Sequence, residues 1–264
     1  MSNLGALDAT QLIPKLQAGA RVAVHFHPDR VVGPGEQTVG ESLVVDGRLK
    51  NQFESRISNG GLAPFLGGPR DQWEQAMFSR AYQGIALGER PKYGAVALIG
   101  HGDGPAPRFG SCYLLLHQHV GERCTLTYGD SYRMPATRGT WGQWEDILAG
   151  MFGDAFEKDA ALGLRGIRPP ELLHALFEQL QAPTRRGLGR SLDHYVEAQI
   201  HSKVELESDV EAVVADPSFR GTPVQETLEA MCQRYHLRLA WHPGFTLAVA
   251  DVPDNFRGPT MPAV

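Results

Sequence analysis

Two histidines and an arginine near the N-terminus have the spacing of a ligand-binding cluster. Residues 25–30 read His-Phe-His-Pro-Asp-Arg, and the alternation of residues 21–27 predicts a strand. Because side chains two apart in a strand share a face, His25 and His27 would lie together, with Arg30 just past the strand end. Such a set could orient a ligand that carries phosphate and ribose, or it could bind a metal ion. An ordinary polar sheet face is the remaining interpretation.

A second cluster surrounds one glutamate in residues 194–201, which alternate as a strand. The pattern places four polar residues on one face: Tyr195, Glu197, Gln199 and His201. Glu197 could hold a sugar hydroxyl or act as a general base. A glycosidase would need a second carboxylate, for which Asp130 and Asp193 are candidates without further support. The alternative is the exposed face of an edge strand.

Two more polar segments are less specific. In residues 107–113, Gly110 at a strand entrance would permit close approach by a ligand, and Ser111 and Tyr113 would share one strand face. Taken alone, this segment is typical of a strand that follows a turn. A similar polar set precedes a Gly-Gly pair that favours a tight bend: Gln52, Glu54, Arg56, Ser58 and Asn59.

The elements that must position these residues are helices and strands in mixed order. Helices are predicted at 8–16, 71–82, 144–156, 169–180 and 222–236, and strands at 21–27, 95–99, 111–116, 123–128 and 194–201. Hairpins are predicted at 43–49, around Asp46-Gly47, and at 237–249, around Pro243-Gly244. The order has no regular βαβ rhythm, so it predicts one α+β catalytic domain over 1–264 with a largely antiparallel sheet. No dinucleotide-binding glycine motif follows a strand and no Walker loop occurs, which disfavours Rossmann dehydrogenases and P-loop NTPases.

Composition limits the functional classes. The chain has 264 residues, 42% hydrophobic and 21% charged, as in an ordinary globular protein, and its formal net charge of −5 leaves only a local basic site for nucleic acid. Three widely spaced cysteines, Cys112, Cys124 and Cys232, fit neither a disulfide scaffold nor a cysteine zinc site. No signal peptide and no apolar run of about 18 residues is evident. We therefore expect a cytoplasmic protein, or one delivered into the cytosol of a target cell, with no membrane partner.

Six segments together resemble one uncharacterised bacterial domain family, to which no activity is assigned. They span roughly residues 20–220 and comprise residues 25–30, 52–54 with 57–60, 90–94, 107–113, 128–131 and 195–201. The order of features is also similar to the ADP-ribosyltransferase superfamily, nearest its nucleic-acid-modifying toxin branch. That superfamily has a His or Arg on an early strand, a Ser or Tyr on a middle strand and one Glu on a late strand. His25, Ser111 with Tyr113, and Glu197 take those places here.

This second resemblance implies a split, mostly antiparallel sheet with peripheral helices, and NAD as the substrate without a metal. Glu197 would be catalytic, because a carboxylate at the nicotinamide ribose stabilises the positive charge that develops when the bond to nicotinamide breaks. His25 would hold the adenosine ribose, and Arg30 or Arg108 the diphosphate. The implied NAD-binding set also includes His27 and Ser111, with Tyr93 or Tyr113 stacked on nicotinamide.

The acceptor of the ADP-ribose is implied only in outline. In transferases that modify arginine, a Glu stands two residues before the catalytic Glu, and another group has Gln there. This chain has Tyr195 at that position. The resemblance therefore argues against an arginine acceptor. The preceding loop, expected to recognise the acceptor, contains Arg185, Arg186 and Arg190. These would suit an acidic or nucleic-acid acceptor, and a plain solvated loop is the other interpretation.

The residues leave two other functional classes open. A metal-dependent hydrolase would use His25 and His27 with a further His or Asp, although the zinc-protease motif His-Glu-x-x-His is absent from the sequence. A non-enzymatic binding or immunity module would keep Glu197 as a surface residue. The expectation carried forward is an enzyme, either an NAD-dependent ADP-ribosyltransferase or an NAD glycohydrolase.

Overall fold

The fold is α+β and is built on a large, mostly antiparallel sheet. A computed structural model describes residues 11–32, 37–57, 62–179, 192 and 194–244. The strands are β1 (Arg21–Phe26), β2 (Lys92–Ala97), β3 (Cys112–Leu116), β4 (Cys124–Tyr128), β5 (Arg138–Thr140), β6 (Ala160–Ala161), β7 (Leu164–Arg165), β8 (Val196–Ile200), β9 (Val210–Ala215) and β10 (Arg238–Trp241). The helices are α1 (Leu12–Gly19), α2 (Val39–Asp46), α3 (Gln52–Ser55), α4 (Pro69–Met77), α5 (Glu145–Glu157), α6 (Pro169–Gln179), α7 (Leu206–Asp209) and α8 (Pro223–Arg234).

Eight of the described strands form the main sheet, in the order β10-β9-β3-β1-β2-β8-β4-β5. All neighbours are antiparallel except β9 and β10, which run parallel. The order places β1 and β8 on either side of β2, so the early strand of His25 and the late strand of Glu197 are close in the sheet. The predicted α+β class with a largely antiparallel sheet is therefore confirmed.

Most of the predicted elements are present. The helices predicted at 144–156, 169–180 and 222–236 correspond to α5, α6 and α8, and the strands predicted at 21–27, 111–116 and 123–128 correspond to β1, β3 and β4. The helix predicted at 71–82 ends earlier, at Met77. Strand β9 was not predicted. The first part of the helix predicted at 8–16 lies outside the described residues.

The hairpin predicted at 43–49 is wrong, because this segment forms helix α2. Thr38 and Glu41 make reciprocal side-chain to backbone bonds that cap the helix N-terminus. Gly47 then ends the helix with a left-handed φ of 66°, a conformation that serves a helix C-terminus as well as a tight hairpin turn. The hairpin predicted at 237–249 is present only as β10, which pairs with β9, and residues 245–249 lie outside the described residues.

Strand β8 is an interior strand, so the interpretation of its polar face as an exposed edge is wrong. Glu197 lies opposite Ala95 of β2 on one side and Thr127 of β4 on the other. Val196, which faces the core, is fully buried, and Glu197 on the opposite face is only 6% exposed. The sheet therefore places a carboxyl group inside the protein, where it needs polar partners.

Helices α1, α5 and α6 contribute to the main hydrophobic core through fully buried side chains such as Leu16, Ile147 and Leu172. The three cysteines are buried and unpaired, as the sequence predicted. Within the described ranges, no helix combines the length and apolar character that crossing a bilayer requires.

Candidate functional site

Glu197 and His25 line the same cavity, which has a volume of about 320 Å³ and is called here the glutamate cavity. Strands β1, β2 and β8, helix α4 and the turns after β2 and β4 contribute to its wall. Its lining residues are Ala23, His25, Gln52, Leu62, Arg70, Trp73, Tyr93, Gly94, Ala95, Ala106, Arg108, Phe109, Asp130, Ser131, Tyr132, Arg133, Tyr195 and Glu197. The fold therefore brings the first and last of the predicted functional positions to one place.

One oxygen of the Glu197 carboxyl group is held by the protein. Oε1 accepts a short hydrogen bond from the Ser131 hydroxyl and one of 3.0 Å from Gln199 Nε2. Oε2 receives only a long contact of 3.5 Å from the Ser131 backbone N–H. Burial raises the pKa of Glu197 to about 7, and the negative charge of Asp130 adds to the rise, while the bonds from Ser131 and Gln199 oppose it.

A short turn after β4 brings Asp130 and Ser131 to the glutamate. The Gly129 backbone N–H donates to the Tyr195 carbonyl at 2.9 Å, which fixes the turn against the start of β8. The Asp130 side chain then accepts from Tyr132 N at 2.9 Å and caps the turn. The cavity thus contains a second carboxylate, Asp130, which the sequence had named only as a candidate.

Aromatic rings form two walls of the glutamate cavity. Phe109 packs edge-on against Tyr195 at 5.7 Å between ring centroids, and Trp73 packs against Tyr93 at 5.8 Å. The Arg70 guanidinium lies 4.8 Å from the Tyr93 ring. Burial raises the pKa of Tyr93 and Tyr195 well above the ordinary value, as do the neighbouring carboxylates, so both hydroxyls stay protonated.

Buried polar atoms without a hydrogen-bond partner cluster at this cavity. Among the described residues, three lining side chains carry one such atom each: Gln52 Oε1, Trp73 Nε1 and Tyr195 Oη, while Arg70 Nε lies 3.3 Å from Glu74 Oε1 in an ion pair. An unsatisfied buried polar group costs about 1–3 kcal/mol. Two donors and one acceptor around one cavity fit a polar ligand that supplies their partners.

His25 uses both ring nitrogens on the backbone. Nε2 accepts from Ala106 N at 3.1 Å, so Nδ1 carries the proton and donates to the Gly110 carbonyl at 2.8 Å. A ribose hydroxyl or a metal ion could reach either nitrogen only by displacing one of these bonds. The structure thus shows His25 fixing residues 106–110 at the cavity, in place of the direct ligand contact that the sequence predicted. The described residues contain no group of three His, Cys, Asp or Glu placed to hold a metal ion.

A second cavity of about 270 Å³, called here the basic cavity, adjoins the first and shares His25, Gln52 and Tyr93 with it. His27 and Arg30 line the basic cavity only, so the cluster at residues 25–30 is divided between the two. Four cationic side chains and one carboxylate line it: Arg30, Arg48, Lys50, Lys92 and Glu54. Arg48 pairs with Glu54 at 2.7 Å and Lys50 pairs with Asp46 at 2.6 Å, so part of this positive charge is neutralised within the protein.

The remaining predicted residues lie elsewhere. Ser111 and Tyr113 line neither cavity. The Tyr113 hydroxyl donates to the Gly102 carbonyl at 3.2 Å, and the Ser111 carbonyl accepts from His242 Nε2 at 2.9 Å. The space beside Gly110 is taken by the backbone of Phe26, from which a Cβ at position 110 would lie only 2.3 Å away. Gly110 therefore allows close packing of two backbone segments, where the sequence had suggested the approach of a ligand. Residues 58–59, Asp193 and the arginines of the 182–191 loop lie outside the described residues.

Sequence reasoning missed several residues of the glutamate cavity, among them Arg70, Trp73, Ser131, Tyr132 and Arg133. Trp73 stands in the helix predicted at 71–82, where an aromatic residue fits a buried helix face equally well. Ser131 stands in a Tyr-Gly-Asp-Ser segment after a predicted strand, and a Gly-Asp turn at the end of a strand could have indicated it.

Two phage proteins are relatives of this chain. "Gene 2 protein" of Mycobacterium phage L5 is 29% identical over 176 residues, which cover 66% of this chain and 61% of that protein. "Gene 2 protein" of Mycobacterium phage D29 is 29% identical over 181 residues, which cover 66% and 60%. The chain thus matches about three fifths of the length of these curated relatives. The model of the family described as Protein of unknown function (DUF3626) matches residues 21–264, and the chain therefore belongs to that family.

Proposed function

We propose that the protein is an NAD-dependent ADP-ribosyltransferase, or an NAD glycohydrolase if water is the acceptor, and that Glu197 is its catalytic carboxylate. The observation that carries the proposal is the Glu197 carboxyl group itself. It is 6% exposed, it is held by Ser131 and Gln199 through Oε1, and it lines a cavity with aromatic rings and arginines. The position of Glu197 on a late strand, which resembles that of the glutamate in ADP-ribosyltransferases, supports the same function.

The chemistry needs a carboxylate at this position. When the C–N bond between ribose C1′ and nicotinamide breaks, nicotinamide leaves with the electron pair and positive charge develops on the ribose. Ionised Glu197 stabilises that charge and can accept a hydrogen bond from a ribose hydroxyl through Oε2. The acceptor oxygen or nitrogen then bonds to C1′ and loses a proton. With a pKa of about 7, Glu197 is about half ionised at pH 7 and can exchange a proton there, and its ionised fraction rises with pH.

The two adjoining cavities suit the two halves of a dinucleotide. Arg108 and Arg133 line the glutamate cavity, and Arg30 lies in the basic cavity on the other side of Gln52 and Tyr93. We assign Arg108 to the diphosphate beside Glu197, because an arginine can donate two hydrogen bonds to phosphate oxygens. Tyr93 lines both cavities, and we assign it to the contact with the nicotinamide ring.

The rim of the glutamate cavity suits a large acceptor. Tyr132 is 55% exposed and Arg133 is also exposed, and both line the cavity. An exposed aromatic ring beside a guanidinium can stack on a base and contact a phosphate, so single-stranded nucleic acid is the first acceptor to test.

The experiment is an incubation of the purified protein with NAD, in which nicotinamide and ADP-ribose are quantified by chromatography with and without EDTA. Equal amounts of both products indicate a glycohydrolase. Nicotinamide release that begins only when RNA, single-stranded DNA or a protein extract is added indicates a transferase. Activity lost with EDTA and restored by one metal ion would favour a metal-dependent hydrolase instead. Failure to bind NAD in calorimetry, together with no product, would reject the proposal.

A further inference from the structure

A chain of hydrogen bonds runs from the surface side of the sheet to Glu197. It begins with a short bond between the Tyr82 hydroxyl and His201 Nδ1, and continues from His201 Nε2 to Thr125 Oγ1 at 3.0 Å. Thr125 Oγ1 is 2.9 Å from Gln199 Oε1, and Gln199 Nε2 is 3.0 Å from Glu197 Oε1. Gln199 is fully buried, so each of its polar groups needs a partner from the protein.

The direction of every proton in this chain follows from the donors that are available. Gln199 Nε2 donates to Glu197 Oε1 and to Thr127 Oγ1, the latter at 3.1 Å, because the reversed amide would set two oxygens against each other at the carboxylate. Gln199 Oε1 must then accept the single hydroxyl proton of Thr125. Since Thr125 has no second proton, it accepts from His201, which therefore carries its proton on Nε2.

The same reasoning extends to the outer end of the chain. With its proton on Nε2, a neutral His201 accepts at Nδ1, so the Tyr82 hydroxyl donates to it. Burial lowers the pKa of His201 and raises the pKa of Tyr82 to about 12, which keeps the histidine neutral and the tyrosine protonated. All the bonds thus point from Tyr82 toward Glu197.

We propose that Gln199 is the positioning residue of the site, and that the chain from Tyr82 and His201 fixes its amide so that Glu197 presents Oε2 to the ligand. Ser131 and Gln199 occupy both lone pairs of Oε1. A proton on the neutral acid must therefore reside on Oε2, and the ionised group has its open acceptor positions there. Gln199 does not touch the ligand in this arrangement and acts through Glu197.

Other titratable and charged groups face the same carboxyl group. Asp130 approaches from the turn after β4, Tyr93 from β2 and Tyr195 from β8, while Arg108 and Arg133 line the cavity wall. A test must therefore separate the effect of Gln199 from theirs. None of these five groups is hydrogen bonded to Gln199 in the part of the protein that the structure describes, so a substitution at Gln199 removes only its bonds to Thr125, Thr127 and Glu197.

The inference rests on the proposed role of Glu197, but its test needs no NAD. The His201 tautomer is read by ¹⁵N NMR of the unmodified protein near neutral pH. The Glu197 pKa is read by ¹³C NMR of carboxyl-labelled glutamate, with the signal assigned by its loss in Glu197→Gln. A failure of NAD cleavage would leave both readings unchanged, so the two proposals fail separately.

We expect His201 to carry its proton on Nε2, and Gln199→Met to raise the Glu197 pKa by about one unit, because a donor to the charged form is lost. Thr125→Val, which retains the side-chain shape, should move the pKa in the same direction by less. Gln118→Met is the matched control, since Gln118 is exposed and bonds to the Gln17 carbonyl, and it should leave the pKa unchanged. A proton on His201 Nδ1 would overturn the proposal even if the variants fail to fold, and so would an unchanged pKa in folded Gln199→Met.

Discussion

Asp130 lies in the same cavity as Glu197, and its charge adds to the effect of burial in raising the pKa of that carboxyl group to about 7. Asp130→Asn removes the charge and retains the oxygen that caps the turn. It should lower the Glu197 pKa by roughly half to one unit. If ionised Glu197 is required, the acid limb of the pH profile of NAD cleavage, expected near pH 7, moves to lower pH by the same amount. An unmoved limb would show that Asp130 does not act on the catalytic group.

The buried charge should also cost stability. The pKa of Glu197 is about 7 in the folded protein and 4.5 ordinarily. The stability that the protonated side chain contributes is therefore fully present below pH 4.5 and is lost as pH rises through 7. The effect of Glu197→Gln on the free energy of unfolding should therefore depend on pH. We expect that effect to be more stabilising at pH 8 than at pH 4.5, by about 3 kcal/mol. Urea unfolding at both pH values measures this. Glu211→Gln, a half-buried surface carboxylate paired with Arg21, is the control and should show no such gain.

The Tyr195 hydroxyl should destabilise the free protein and stabilise a ligand complex. It is buried without a hydrogen-bond partner among the described residues, so Tyr195→Phe should raise the free energy of unfolding by about 1 kcal/mol and weaken NAD binding. Tyr235→Phe is the matched control, because its hydroxyl donates to the Val44 carbonyl at 2.8 Å. In Tyr235→Phe, the free energy of unfolding should fall by about 1 kcal/mol and NAD binding should be unchanged. Equal destabilisation in both variants would mean that Tyr195 Oη has a partner.

Arg108 should act in binding more than in bond cleavage. Arg108→Gln removes a charged donor to the diphosphate and should raise KM for NAD about tenfold with little change in kcat. Arg238→Gln serves as the control, since that side chain is 62% exposed and lies 3.7 Å from Glu211, away from both cavities. Steady-state kinetics of the two variants decide the point. A fall in kcat at unchanged KM would move Arg108 from binding to catalysis.

The sequence predicted the elements better than the contacts between them. Alternation in residues 194–201 correctly placed Glu197 and Gln199 on one face of a strand, because strand geometry is local. It could not show that β8 is an interior strand, since that depends on pairing with β2 and β4. An exposed edge strand therefore stayed open as an alternative for the fully buried Gln199.

The roles of the residues in the 25–30 cluster could not be predicted for the same reason, because they are set by contacts with segments distant in the sequence. His25 reads as a ligand-binding residue until Ala106 and Gly110 are brought to its ring nitrogens, about 80 residues further along the chain. At residues 43–49, local chemistry misled directly, since Gly47 suits both a hairpin turn and a helix end. The capping pair Thr38 and Glu41 was the signal that could have decided for the helix.

The most direct test of the central claim compares Glu197→Gln with the unmodified protein, for both NAD binding by calorimetry and nicotinamide release in a single turnover. The account predicts that the variant binds NAD within about threefold of the unmodified protein and releases nicotinamide at least about a hundredfold more slowly, because only the transition state carries the charge that the carboxylate stabilises. Nicotinamide release by Glu197→Gln at the unmodified rate would contradict it.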